Sequence, residues 1–206
     1  MNIILSGTGK KFNTEWIFRK LSCRFEENKS YAILGRNGSG KSTLLQVIAG
    51  SIHPTAGTIK YYSGESEISS EKIFQQLTLV APYQELIEEF TLEEMLKFHF
   101  AFKSPVKGIT IPLILERIGF KNPGHKVIRL FSSGMKQRVK LVLAIMSDLP
   151  LLLLDEPTMN LDKAGIDWYL ELIRRYTQNR TVIICSNLHQ QESAFATSSL
   201  QIEDFK

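Results

Sequence analysis

Cysteine is nearly missing from this chain: Cys23 and Cys185 are the only two, and both lie in strand-like apolar stretches. Thiols so placed read as buried residues of a reducing compartment, not as a disulfide or a metal pair. A long hydrophobic run is missing as well. The most apolar stretch, Val139 to Leu154, is broken by Lys140, Asp148 and Pro150, which excludes a membrane span there. The N-terminus, MNIILSGTGKKF, has neither a basic start nor a long apolar region followed by small residues, so no export signal is expected. Blocks of like charge, internal repeats and low-complexity linkers do not occur. The net charge of +4 is spread along the chain and only slightly favours an anionic ligand such as a nucleotide. His53, His99 and His125 stand without metal-ligand neighbours and read as surface or packing residues.

What is present fits one folded domain over residues 1–206, with 43% hydrophobic and 22% charged residues. Short β-rich segments near Asn2–Leu5, Ser22–Phe25, Tyr31–Leu34 and Thr58–Tyr62 predict a small antiparallel lobe at the N-terminal side. A strand follows at Leu77–Ala81, and then the β signals stop. From Glu85 to Ser147 the pattern is helical: Thr91-Leu92-Glu93-Glu94 is a capping box, and Met135, Val139, Val142 and Met146 recur at helical spacing. Strands return at Leu151–Leu154 and Thr181–Cys185. Between them Ile166, Tyr169, Leu172, Ile173 and Tyr176 form the apolar face of a helix. The expected fold class is α/β, with a core of about residues 1–84 and 148–206 and an inserted helical subdomain at about 85–147.

Gly35-Arg36-Asn37-Gly38-Ser39-Gly40-Lys41-Ser42 matches G-x-x-x-x-G-K-[ST] in full, between an apolar strand and a helix running from Thr43 to Ala49. Backbone N–H groups of such a loop turn inward around phosphate oxygens, and the helix N-terminus adds positive potential. The candidate nucleotide contacts are Gly35, Asn37, Gly38, Ser39, Gly40, Lys41, Ser42 and Thr43. Lys41 would reach the β- and γ-phosphates of ATP, and the Ser42 hydroxyl would ligate Mg²⁺. The alternative of a dinucleotide fold is disfavoured, since G-x-G-x-x-G is absent.

Leu151 to Asp155 and Glu156 read as a buried parallel strand that delivers two carboxylates at its C-terminal end, where open α/β sheets bind ligands. Asp155 is expected to hold the Mg²⁺ shell and Glu156 to polarise the attacking water. Pro157 is expected to keep Glu156 extended.

Phe131-Ser132-Ser133-Gly134-Met135-Lys136-Gln137-Arg138 precedes Asp155 and opens a long helix. It resembles the L-S-G-G-Q signature of ATP-binding-cassette (ABC) proteins, followed by Q-R. Ser132, Gly134, Gln137 and Arg138 match, while Phe131, Ser133 and Met135 depart. Asp155 to Asp162 is similar to the family's D-E-P-T-x-x-L-D, and the resemblance covers nearly the whole chain in family order. It implies a P-loop NTPase core of the ABC ATPase cassette type. Two cassettes would stack head to tail as a homo- or heterodimer, with Ser132, Ser133 and Gly134 of one capping the ATP of the other. The adenine would stack on Phe12, with Trp16 as the alternative. The family's Q-loop glutamine, a further metal and catalytic group, falls best on Gln84 after Pro82-Tyr83. The switch residue falls on Asn187, where the family has histidine, with His189 two residues beyond as the alternative.

The resemblance further implies ATP hydrolysis that drives transport through a separate integral membrane permease, the cassette lying on the cytoplasmic face. The short helical block looks like that of exporter-type cassettes. Two other readings stay open: a nucleotide-gated clamp with little hydrolysis, and a cassette acting on nucleic acid or ribosomes. Nucleic acid is not expected as a partner, because neither coiled-coil insertions nor charged arms occur.

Overall fold

Apolar residues alternating at period two build the first strands of the computed structural model, which describes residues 1–120, 124–187 and 192–206. Strand β1 (Asn2–Phe12) pairs antiparallel with β2 (Glu15–Phe25), from Ile3 opposite Phe25 to Phe12 opposite Glu15. Both strands outrun the segments expected from sequence. Register shifts between Leu5 and Thr8, and again up to Lys11, break the alternation that marks a strand while the pairing continues. Next come β3 (Ser30–Leu34), α1 (Lys41–Ile48), β4 (Ala56–Ser63), β5 (Ser66–Ile68) and β6 (Leu77–Val80). The remaining elements are α2 (Leu92–Phe102), α3 (Ile111–Arg117), α4 (Ser133–Ile145), β7 (Leu151–Asp155), α5 (Lys163–Tyr176), β8 (Thr181–Ser186) and β9 (Ser198–Gln201). No helix among the described residues is long and apolar enough to cross a membrane.

The chain divides into two compact units. The first holds Met1–Leu79, Pro150–Glu156 and Gln178–Lys206. It contains an antiparallel sheet of order β2-β1-β4-β5 and a second sheet of order β6-β7-β8-β3-β9, in which β7, β8, β3 and β9 pair in parallel. The core lies between α1 and these sheets. Leu44, Leu45, Val47 and Ile48 of α1 cluster with Ile3, Phe18, Tyr61, Ile33, Leu151 and Ile183, all buried. Every residue of β7 and β8 is buried, as an internal parallel strand requires, and each such Leu or Ile contributes about 1.5–3 kcal/mol. Parallel pairing sets Asp155 beside Cys185 and so brings the C-terminal ends of β7 and β8 to one edge. Cys23 and Cys185 are free thiols, raised by burial to about 12 in the first case and well above the usual range in the second.

The second unit holds Val80–Leu149 and Pro157–Thr177, so α5 groups with α2, α3 and α4. The capping box forms as the sequence expects: Thr91 Oγ1 accepts from the Glu94 N–H at 3.3 Å, and Glu94 Oε2 accepts from the Thr91 N–H at 2.8 Å. Along α4, Val139 and Val142 are buried, as is Met146 just beyond its end. On α5, Tyr169, Leu172 and Ile173 are buried while Ile166 and Tyr176 are half-buried. His99 is a packing residue, its Nε2 2.9 Å from Ser147 Oγ, and burial lowers its pKa to about 4.

Candidate phosphate-binding site

The site is built where β3 ends at Leu34 and α1 begins at Lys41. The intervening loop folds back through a hydrogen bond from the Ser39 N–H to the Arg36 carbonyl at 3.1 Å. Gly40 is the N-cap of α1 with φ 109°, a left-handed conformation that favours glycine. A Cβ there would also sit 2.6 Å from Ile17 Cγ2, so the third glycine of the motif is required twice over. No acidic residue occupies the first turn of α1, which leaves its N-terminal field free for an anion. Residues 37–43 line one open cavity in unbroken succession, with Ile17 and Glu156 completing its wall.

Lys41 is 4% exposed, and its ammonium donates to the carbonyls of Gly35 at 2.9 Å and Arg36 at 3.0 Å and to Asn187 Oδ1. The loop thus holds its cation among neutral acceptors. Asn187 follows β8 directly, and its Nδ2 donates to Glu156 Oε1 at 2.6 Å. A single amide therefore connects the loop lysine to the carboxylate of Glu156, which follows β7.

Asp155, the last residue of β7, is 1% exposed. Burial pushes its carboxyl above the usual range, the neighbouring Glu156 adds to this, and a hydrogen bond with Ser42 opposes it. Asp155 Oδ1 is buried, and no described atom hydrogen-bonds to it. A buried orphan carboxylate oxygen next to a hydroxyl is the hard oxygen donor set that Mg²⁺ selects, so Asp155 and Ser42 fit that ion. Glu156 departs from expectation in its backbone. Its φ is 47°, left-handed and not the extended conformation expected ahead of Pro157, while its N–H donates to the Cys185 carbonyl at 3.1 Å. The restriction that proline places on its predecessor is outweighed here by the turn the chain makes on leaving the sheet.

Other candidates fall outside this cavity. Phe12 stands half exposed at the end of β1 with the Lys10 ammonium 5.2 Å from its ring centre. Trp16 has Lys11 at 5.5 Å and packs toward Gly9. Gly35 is buried against Glu203, Ile202 and the Ser39 hydroxyl and does not itself line the cavity. His189 lies outside the described residues. Two residues of the loop's surroundings were not singled out from sequence. Ile17 had only its apolar character, since the strand expected there began at Ser22. Glu203, whose Oε1 accepts the Arg36 N–H at 2.7 Å, is 167 positions from its partner and had none.

Within the second unit, Gln84 closes a turn with Ala81, its Oε1 accepting the Ala81 N–H at 3.1 Å. Ser132 caps α4 by accepting the Met135 N–H at 3.3 Å, and Ser133 is the first residue of that helix. Gly134 is required by close approach, since a Cβ would lie 2.7 Å from the Asn160 carbonyl oxygen. Gln137 Nε2 donates to the Pro157 carbonyl at 2.8 Å, so the helix of the signature is fixed to the segment that follows Glu156.

A family model described as ABC transporter matches residues 18–159. The bacitracin transport ATP-binding protein BcrA of Bacillus licheniformis is 28% identical over 180 residues, 87% of this chain and 59% of that protein. The chain spans 7% of the mammalian ATP-binding cassette sub-family A member 2 and 56–60% of two uncharacterized Bacillus subtilis ABC transporter ATP-binding proteins. Among solved structures, a putative ABC transporter ATP-binding protein of Pyrococcus furiosus superposes with a TM-score of 0.81 at 18% identity, covering 100% of both chains. A bacterial ABC transporter cassette solved as a dimer superposes with a TM-score of 0.77 at 20% identity, covering 98% of this chain and 95% of that one.

Proposed function

The chain belongs to the ABC transporter family, and from that premise we propose that it binds and hydrolyses ATP to power transport through a separate membrane permease. The observation that carries this reading is the cavity walled by residues 37–43 and Glu156, whose Lys41 is hydrogen-bonded to Asn187. ATP would enter phosphates first. The loop N–H groups and the α1 N-terminus take the β-phosphate, and Lys41 turns from Asn187 Oδ1 toward the β- and γ-oxygens. Ser42 and Asp155 would hold Mg²⁺, with Gln84 as a further proposed ligand; the ion supplies charge neutralisation on the transferred phosphoryl group. Glu156 orients and deprotonates the attacking water, and Asn187 positions it by donating to that carboxylate. Phe12 is the proposed platform for adenine.

Ser132, Ser133 and Gly134 would cap the ATP of a second cassette, a role supported by the dimeric form of the superposed bacterial cassette. We further assign the core of about residues 1–84 and 148–206 to nucleotide and the helical subdomain of about 85–147 to the permease. The protein then works at the cytoplasmic face of the membrane. BcrA is named for bacitracin transport, which supports a transport role here. The test is purification from detergent-solubilised membranes with identification of the attached permease, followed by ATP turnover with and without it. Turnover absent in both states, in protein that still binds ATP, would leave a nucleotide-gated clamp as the function.

A further inference from the structure

We propose that Glu203 is a positioning residue of the phosphate loop, holding the Gly35–Arg36 peptide in the orientation from which Lys41 meets phosphate. This peptide is gripped at both ends. Its carbonyl, on Gly35, accepts from the Lys41 ammonium at 2.9 Å, and its N–H, on Arg36, donates to Glu203 Oε1 at 2.7 Å. A trans peptide is a rigid plane with its N–H and C=O opposed, so fixing the one direction fixes the other. A carboxylate makes the stronger, charge-assisted kind of hydrogen bond.

The anchor is firm. Ile202, the residue before Glu203, is fully buried in the core, and its Cγ2 lies 2.7 Å from where a Cβ on Gly35 would be. Glu203 Oε2 lies 2.6 Å from the same point, so the carboxylate lies against the bare glycine. The first glycine of the motif thus makes room for this contact. The Arg36 amide and the Lys41 charge hold the Glu203 carboxyl below the usual range, which keeps it ionised at neutral pH. Glu203 is itself exposed and does not line the cavity. Losing its side chain opens no hole in the core and leaves a single solvent-facing N–H without its partner.

The inference rests on the reading of this loop as a nucleotide site, and the experiment separates the two. ATP affinity is measured by calorimetry for the wild type, Glu203→Ala, Glu203→Gln and Lys41→Ala, below the melting temperature of every variant. Exchange of the Arg36 backbone amide is followed by NMR in each. The alanine variant is expected to bind ATP about tenfold more weakly, because ordering the freed loop peptide is then charged to binding. Its Arg36 amide should exchange faster, with only a small fall in apo melting temperature, since water takes the freed N–H. Glutamine keeps the acceptor oxygen and should restore affinity and protection. Wild-type affinity in Glu203→Ala, or a glutamine variant as weak as alanine, overturns the proposal. Wild-type affinity in Lys41→Ala overturns the nucleotide site and the proposal with it.

Discussion

Asn187 Nδ2 donates a 2.6 Å hydrogen bond to Glu156 Oε1, while the other end of the same amide accepts from Lys41. The residues proposed to bind phosphate and to activate water are thereby tied together through one amide. The tie is a neutral one. An amide can orient a carboxylate and a phosphate, but it cannot take up a proton as charge shifts in the transition state. Slow basal hydrolysis is the expected outcome of the proposed function, with a permease completing the site.

Asn187→His should raise basal turnover without changing ATP affinity, since charge-stabilising groups of this kind are worth on the order of 10²-fold in rate. The gain should carry a new pH dependence near the ordinary imidazole value of about 6.5. His189→Ala should do little. Steady-state phosphate release checks both, and collapse on His189→Ala with indifference to Asn187→His would assign the switch to His189.

Glu156→Gln should keep Mg-ATP binding and stop turnover, trapping an ATP-bound dimer. Adding Ser132→Arg should abolish that dimer by placing a long side chain at the α4 N-terminus, where the proposed head-to-tail stacking puts the opposite γ-phosphate. Light scattering at high protein concentration reads the mass, and a double mutant that stays dimeric speaks against head-to-tail stacking.

Lys41→Ala should cause a large loss of ATP affinity in a calorimetric titration. Sequence alone suggests an unchanged apo melting temperature, but the ammonium is buried on three acceptors. Truncation should therefore also lower apo stability modestly, on the order of 1–3 kcal/mol.

Asp155 carries the opposite sign to most carboxylates. Its folded pKa is raised by burial, so the folded state binds the proton more tightly than the unfolded chain does. The ionised form costs stability above the folded pKa, and that cost fades as pH falls through it toward the ordinary carboxyl value. Asp155→Asn should match or exceed the wild type in nucleotide-free melting temperature at pH 7, with the gap closing on acidification. The same variant should lose the Mg²⁺ dependence of ATP binding. A substantially lower melting temperature at pH 7 would contradict the assignment.

What the sequence disclosed depended on how local the signal was. The phosphate loop is contiguous, and Leu151–Leu154 and Thr181–Cys185 are unbroken apolar runs, so the loop and its sheet were both readable. The edge strand β9 was not, because Ser198-Ser199-Leu200-Gln201 is polar and largely exposed. The reach of β1 was hidden by its register shifts. Glu156 was placed at the right strand end but with the wrong backbone, since its left-handed φ is a tertiary outcome. The contact of Asn187 with Glu156 needs the register of β8 on β7, and that of Glu203 with Arg36 joins residues far apart in sequence.

The two thiols have a practical consequence. Nucleophilic attack requires thiolate, and burial holds Cys23 at a pKa of about 12 and Cys185 well above its ordinary value, with its Sγ 3.5 Å from the Lys41 carbonyl oxygen. At neutral pH neither sulfur is poised to react with a maleimide or to oxidise. A cysteine introduced at a chosen surface position would therefore be the single reactive handle on the molecule. Fluorophores, spin labels or cross-linkers could then report nucleotide-driven pairing in the otherwise native chain.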